Sequence, residues 1–418
     1  MSVLPVGFGA SGVDTGDITK SLRFRASGST YMSRTFSAGS RTTWTWSGWL
    51  KRGALAVGER MFFACNAAGN DNQYTICEFN SLDQLVVGGW ATNWRISTAV
   101  FRDPTAHLHL VIAVDTTQAT ANNRIRVYVN GVELTAFGTL NNPALNALLG
   151  VNQAASHTMG FPQAGSTYFD GYLSRICFVD GTALTPSSFG YLNTEINEWV
   201  TLSRSACKAV VDAGGTNSFM LDFEDGTSLT TLGNDYSAKN NDWTLTNHSL
   251  TAGVTYDWME DRPGNSYAVL NPIYPSAANI TNGNLSSGTT AARATMNSTA
   301  IDSQWFVTAG ASAVSAGVID DGGTTNTTTV TANKTFAFKM TTAGALSYKN
   351  VTDAGSWTSI ATGLTENRWP YSVTQAASWN FGQQPLPEAL DTGFLALCQQ
   401  NLPEGAVRNP KKHFGAKT

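Results

Sequence analysis

Residues 107–115, HLHLVIAVD, followed at 124–134 by RIRVYVNGVEL, decide the fold. The first run is apolar at almost every position, which predicts a strand buried on both faces. The second reads as a hairpin. Asn130-Gly131 supplies the two positive-φ residues that a two-residue type I′ turn needs. Working outward, TWTWSGWLK (43–51) sends Trp44, Trp46 and Leu50 one way and Trp49 and Lys51 the other. That period of two is a strand. SLRF (21–24) and STYMSRTF (29–36) are short strands in the same style. MFFACNAAGNDNQYTICEF (61–79) reads as strand, polar turn, strand, and LDQLVVGGW (82–90) continues it. FDGYLSRICFVDGTAL (169–184) ends in an Asp-Gly turn, and NSFMLDF (217–223) and NDWTLTNHSL (241–250) close the unit. Helix signals are scarce. One short helix is expected within 185–202, capped by Ser187 or Ser188.

Residues 252–266 lack alternation and contain Pro263-Gly264, so a boundary is placed there. Beyond it the segments AVLNP, GNLSSG, AARATM, QWFVTAG, SAGVIDDGG, KTFAFKM, ALSYKN, WTSIATGL, WPYSVTQ, SWNFGQQP and GFLALC read as short strands. Turn signals separate them every 8–12 residues, the spacing of a sandwich or barrel. The expected organisation is a docking tail at 1–19 and a β-sandwich at 20–250. A linker at 251–266, a second sandwich at 267–405 and a C-terminal tail at 406–418 follow. The fold class is all-β, two tandem sandwiches.

Composition agrees. The 418 residues suffice for two or three domains. Charged residues are only 13%, against about 25% in typical domains. The 42% apolar share still builds cores and excludes disorder. A net charge of -4 leaves no electrostatic footprint for nucleic acid. No stretch approaches the ~18 apolar residues of a membrane helix, and the N-terminus has no secretion-signal pattern, so synthesis in a cytosol is expected. Cys65, Cys77, Cys177, Cys207 and Cys398 are irregularly spaced, with no C-x-x-C. No disulfide framework, zinc site or other cofactor is expected. His107 and His109 would share one face of a strand, but no third ligand lies nearby, so ordinary strand positions are the plainer reading.

The unit at 20–250 resembles the concanavalin-like jelly roll in its laminin-G-like form. The resemblance rests on four segments. FRDPTAHLHLVIAVDTT (101–117) matches the W-x-H-v-a-v-v-y-D strand, and RIRVYVNGVEL matches the hairpin after it. FDGYLSRICFVDGTALTPSSFG (169–190) matches the closing strand. FMLDFEDGTS with NDYSAKNNDWTLTN matches the terminal segment. The unit at 267–405 resembles a SPRY-type sandwich. YAVLNPIYPSAANITNGNLS (267–286) is similar to its entry strands, and WPYSVTQAASWNFGQQPL (369–386) to its v-x-v-N-F-G-Q-r-P-F strand. TGFLALCQQNLP (392–403) resembles its ending. ALSYKNVTDAGSW (345–357) is similar to the F-Y-K-N-G hairpin, but Val351 stands where Gly is usual, so the turn must differ. The order of units resembles tail-fibre and appendage proteins of tailed bacteriophages. That resemblance implies a virion protein made in the bacterial cytoplasm: a fibre, appendage or decoration. It would dock to other virion proteins through 1–19, contact host surface polysaccharide, and assemble as a homo-oligomer, a trimer by class.

Catalytic patterns are missing. Glucanases of this fold need paired carboxylates, arranged as E-x-D-x-x-E on one strand face. No Glu begins that pattern. Asp222 and Glu224 come nearest and would share a strand face before an Asp-Gly turn. TDAGSW (352–357) lacks the Ser and the spacing of a sialidase Asp-box and reads as a turn beginning at Asp353. No G-x-S-x-G or P-loop occurs. The chain is therefore read as non-enzymatic, with a polysaccharide depolymerase as the least favoured alternative. Asp320 and Asp321 in VIDDGG would suit calcium, but a solvated turn is the plainer reading. Trp90 and Trp94 in the Gly-rich GGWATNWR are the candidate carbohydrate-stacking residues, read as loop-borne. The plainer reading is that both plug the sandwich edge. A free carbohydrate-binding lectin is the alternative function.

Overall fold

The computed structural model describes residues 18–56, 60–66, 69–161, 167–195, 197–274, 280–373 and 375–402. Residues 1–17 of the docking tail read at 1–19, and the whole C-terminal tail read at 406–418, lie outside the described residues. The rest forms tandem β-sandwiches.

In the first, one eight-stranded antiparallel sheet is centred on Thr43–Arg52, flanked by Leu108–Asp115 and Gly171–Asp180. Ser21–Phe24 and then Trp258–Met259 extend it at one edge, and Ile125–Val129 at the other. A second eight-stranded sheet faces it, running from Phe137–Leu140 through Asn93–Val100, Gln84–Gly88, Tyr74–Phe79 and Arg60–Asn66 to Thr244–Thr246. Trp44, Trp46 and Leu50 enter the core between the sheets, as their alternation requires, and Trp46 meets Phe62 at 5.1 Å. Leu108–Asp115 is buried on both faces. Leu110, Ile112 and Val114 line the inter-sheet core, while Val111 and Ala113 pack under Cys207 and Val211 on the outside. Asn130 and Gly131 both have positive φ, at 48° and 81°, which gives the type I′ hairpin.

The helix lies elsewhere than expected. Residues 185–202 hold a 3₁₀ turn at Pro186–Ser188 and a hairpin, Gly190–Asn193 with Glu198–Thr201. Among the described residues the longer of two α-helices is Arg204–Asp212, where the Ser203 hydroxyl accepts from the Ala206 N–H at 3.1 Å, and the other is the single turn Leu229–Leu232. The hairpin wins because Trp199 docks on the outer sheet face, its indole N–H donating to His109 Nδ1 at 2.9 Å.

In the second sandwich a six-stranded sheet packs on a four-stranded one. Trp305, Phe338 and Trp379 from the larger sheet meet Val314, Val318 and Val330 from the smaller. GFLALC does not form a strand. Leu395 makes only an isolated parallel bridge to Ser303, and Cys398 an isolated antiparallel one to Tyr267. AVLNP likewise contributes only the bridge Leu270↔Ala294. The turn at Val351–Ala354 gives its left-handed position to Ala354, φ 51°. All five cysteines are free and buried. Among the described residues no helix is long and apolar enough to cross a membrane.

Candidate binding surface and the joint between sandwiches

Of the twelve tryptophans, Trp90 alone is more than half exposed, at 56%. It rides a tight turn in which Gly89 N–H donates to Thr92 C=O at 2.7 Å. The Asp71 carboxylate holds that turn by accepting from Ala91 N–H at 2.7 Å. Tyr74 meets the ring edge-on at 5.4 Å. Gly69 backs it so closely that a Cβ there would lie 3.2 Å from the indole. The turn thus presents a supported ring beside a loop bearing exposed Asn70 and Asn72. That is the chemistry of a sugar platform, an aromatic face with amides around it.

Trp94 is not part of it. The strand resumes at Asn93, only three residues after Trp90, and turns the Trp94 side chain into the inter-sheet core, 2% exposed. No ligand reaches that ring. Trp94→Ala should cost about 3–5 kcal/mol, the usual range for a buried Trp. Trp90→Ala should leave stability nearly unchanged. Urea midpoints of the two variants check this, and equal losses would contradict it.

The other candidate residues are held by partners. Phe223 has a left-handed φ of 58°, so Asp222 and Glu224 do not lie on one strand face. Both instead grip Arg204, at 2.5 and 2.9 Å. Burial first, and then the Asp222 charge, push the Glu224 carboxyl above its ordinary value, while Arg204 pulls it back. Asp320 is paired with Arg368 at 2.8 Å and accepts from Thr324 N–H, whereas Asp321 is 69% exposed and 3.6 Å from Arg293. His109 is enclosed between Trp49 and Trp199 and also meets Ser47 Oγ at 2.9 Å. His107 lies in a different setting, 3.4 Å from Ser266 Oγ.

The segment 251–266 is built into both sandwiches. Trp258–Met259 pairs with Ser21–Leu22 at the edge of the first sheet, and Met259 is buried in the second core. Asp257 accepts from Arg25 at 2.8 Å and from Arg23 at 3.2 Å. Lys51 and Asp261 form a wholly buried ion pair at 2.6 Å. Burial raises the Asp261 carboxyl above its ordinary value, and Lys51 opposes that rise. Around this pair, Tyr172 Oη donates to Gly283 C=O at 2.6 Å, and Gly283 N–H donates to Asp170 at 2.8 Å. Glu260 N–H donates to Gln383 C=O at 2.9 Å. No local sequence pattern marks this joint, because Lys51 and Asp261 are 210 residues apart.

No protein-family model matches the chain, and no curated protein does. Among solved structures it is similar to a native heptameric SAP-like pentraxin from Limulus polyphemus, at 17% identity and TM-score 0.30, over 47% of this chain and 85% of that one. It is similar to a Trypanosoma rangeli sialidase at 17% identity and TM-score 0.27, over 35% of this chain and 22% of the sialidase. A domain of a GH43 extracellular arabinanase from Geobacillus stearothermophilus, in complex with arabinotriose, is 23% identical over 35% of this chain and 64% of that one, with TM-score 0.27. These likenesses are too slight to carry an argument about ligand or activity.

Proposed function

We propose that the chain is a non-enzymatic structural protein of a tailed bacteriophage particle, a fibre, appendage or decoration that contacts host surface glycans. The observation that supports this reading best is the joint. Two sandwiches locked by the buried Lys51–Asp261 pair and by main-chain hydrogen bonds make a stiff spacer, where a flexible linker would let them swing. Trp90 supplies an exposed aromatic for a glycan. The resemblance to tail-fibre proteins supplies the class, and with it a homotrimer as the expected assembly and 1–19 as the docking segment. A free lectin is the second reading, and Trp90 is the observation that favours it. Fractionation of phage-producing cells separates the two. A virion protein co-sediments with purified particles, and a lectin stays in the soluble fraction.

A further inference from the structure

The outer face of the six-stranded sheet carries a row of hydroxyls. Ser286 pairs with Ser378, Thr308 with Ser378, and Thr308 with Thr335, so the four lie side by side on four adjacent strands. At the usual spacing between strands the row is about 14 Å long. Thr308 and Thr335 oxygens are 2.9 Å apart and Ser286 and Ser378 oxygens 3.4 Å apart. Each such pair uses one hydroxyl proton between its members and leaves the other free to donate outward.

The row is partly roofed. After Asn380 the chain turns at Gly382, φ 112°, and crosses the face as a strap. Asn380 Nδ2 donates to Pro385 C=O at 2.9 Å. Farther along, Glu388 pairs with Lys349 at 2.7 Å and Asp391 with Lys339 at 2.9 Å, and Lys339 also lies 4.1 Å from the Trp357 ring. The remaining wall is the loop at 252–254, held by Arg23 Nη2 donating to Val254 C=O at 2.7 Å. Between strap, loop and sheet is a half-open cleft of about 290 Å³, near the small end of ligand sites. Its polar lining is hydroxyl and amide, its apolar lining includes Phe306 and Pro385, and none of the described residues lining it is charged.

We propose that this cleft binds a neutral carbohydrate, one sugar ring seated along the Ser286–Ser378–Thr308–Thr335 row. A lining that mixes free hydroxyls with apolar patches matches a sugar, whose hydroxyls and C–H faces alternate. An anionic sugar would find no cation to pair with in the cleft and would lose its hydration there. The cleft is a second site, far in sequence from Trp90. It deepens the glycan-contacting reading but does not depend on the chain's place in a particle.

The test is titration of the full chain with neutral hexose and N-acetylhexosamine trisaccharides, with a uronic-acid trisaccharide as the charged control. The variants are T308V with S378A, S286A alone, and W90A. These hydroxyls face outward, so the changes keep the core intact. We expect a neutral trisaccharide to bind and T308V/S378A to weaken that binding about tenfold, the loss of two ordinary hydrogen bonds, in the W90A background as well as in wild type. S286A should weaken it less. Equal binding by wild type and T308V/S378A would overturn the proposal, as would preference for the charged sugar or binding of extended peptides alone. Binding lost in W90A but unchanged in T308V/S378A would overturn the cleft and leave the Trp90 glycan surface standing.

Discussion

Lowering the pH from 7 to 5 is expected to remove roughly 8 kcal/mol of folding stability, about 2 kcal/mol for each of four buried histidines. Burial depresses His109 and His157 to about 3 and His248 to about 4, and places His107 well below its ordinary value. In the unfolded chain these groups protonate near 6.5. A base whose folded value is depressed contributes stability that is present above 6.5. That contribution is lost as the pH falls toward the folded value, because only the unfolded state takes up the proton. His109 shows why the fold refuses it. Its Nδ1 accepts from the Trp199 indole N–H at 2.9 Å, so a second proton there would set two donors against each other. His157 is equally committed, with Nε2 accepting from Asn152 N–H at 3.2 Å and the ring stacked 3.7 Å from Phe36. The loss is comparable with the whole stability of a typical domain. Denaturant midpoints at pH 7 and pH 5 measure it. Midpoints that agree would contradict the assignment of neutral buried imidazoles. His109→Gln, which keeps one donor and one acceptor, should remove about a quarter of the pH dependence.

The second large effect is at the joint. Asp261→Ala should cost about 3–5 kcal/mol, because it strands the Lys51 ammonium where no water reaches it. Lys51→Met combined with Asp261→Leu should come close to wild type, since two well-packed apolar groups replace a pair whose desolvation nearly cancels its attraction. The single variant should also uncouple the sandwiches. Wild type is expected to unfold in one calorimetric transition, and Asp261→Ala in two. A single variant as stable as the double would show that the pair is not sealed from solvent.

Much of the fold was legible because burial leaves a pattern. HLHLVIAVD is apolar on both faces since a second sandwich sheet covers one side and the Arg204–Asp212 helix covers the other. Asn130-Gly131 specifies its turn by backbone conformation alone. The strand Thr325–Val330, TNTTTV, was not legible. It sits at the edge of the four-stranded sheet and is polar on both faces, so it shows no period. The helix was misplaced because Pro186 and two serines imitate a helix start, while Trp199 takes its partner from a strand 90 residues away. The candidate site divides in the same way. Trp90 could be read from its glycine-rich turn, but Trp94 could not, since the resumption of the strand at Asn93 decides which way its ring faces. The joint and the hydroxyl row both depend on register between distant segments, which no local pattern carries.

The proposed function makes this chain a rigid surface component of a phage particle. Immunogold labelling of gradient-purified particles from cells that make the chain tests it most directly. Gold is expected at a defined position on the tail or capsid exterior of intact particles. Particles that carry no label, with the chain recovered only as free protein, would contradict it.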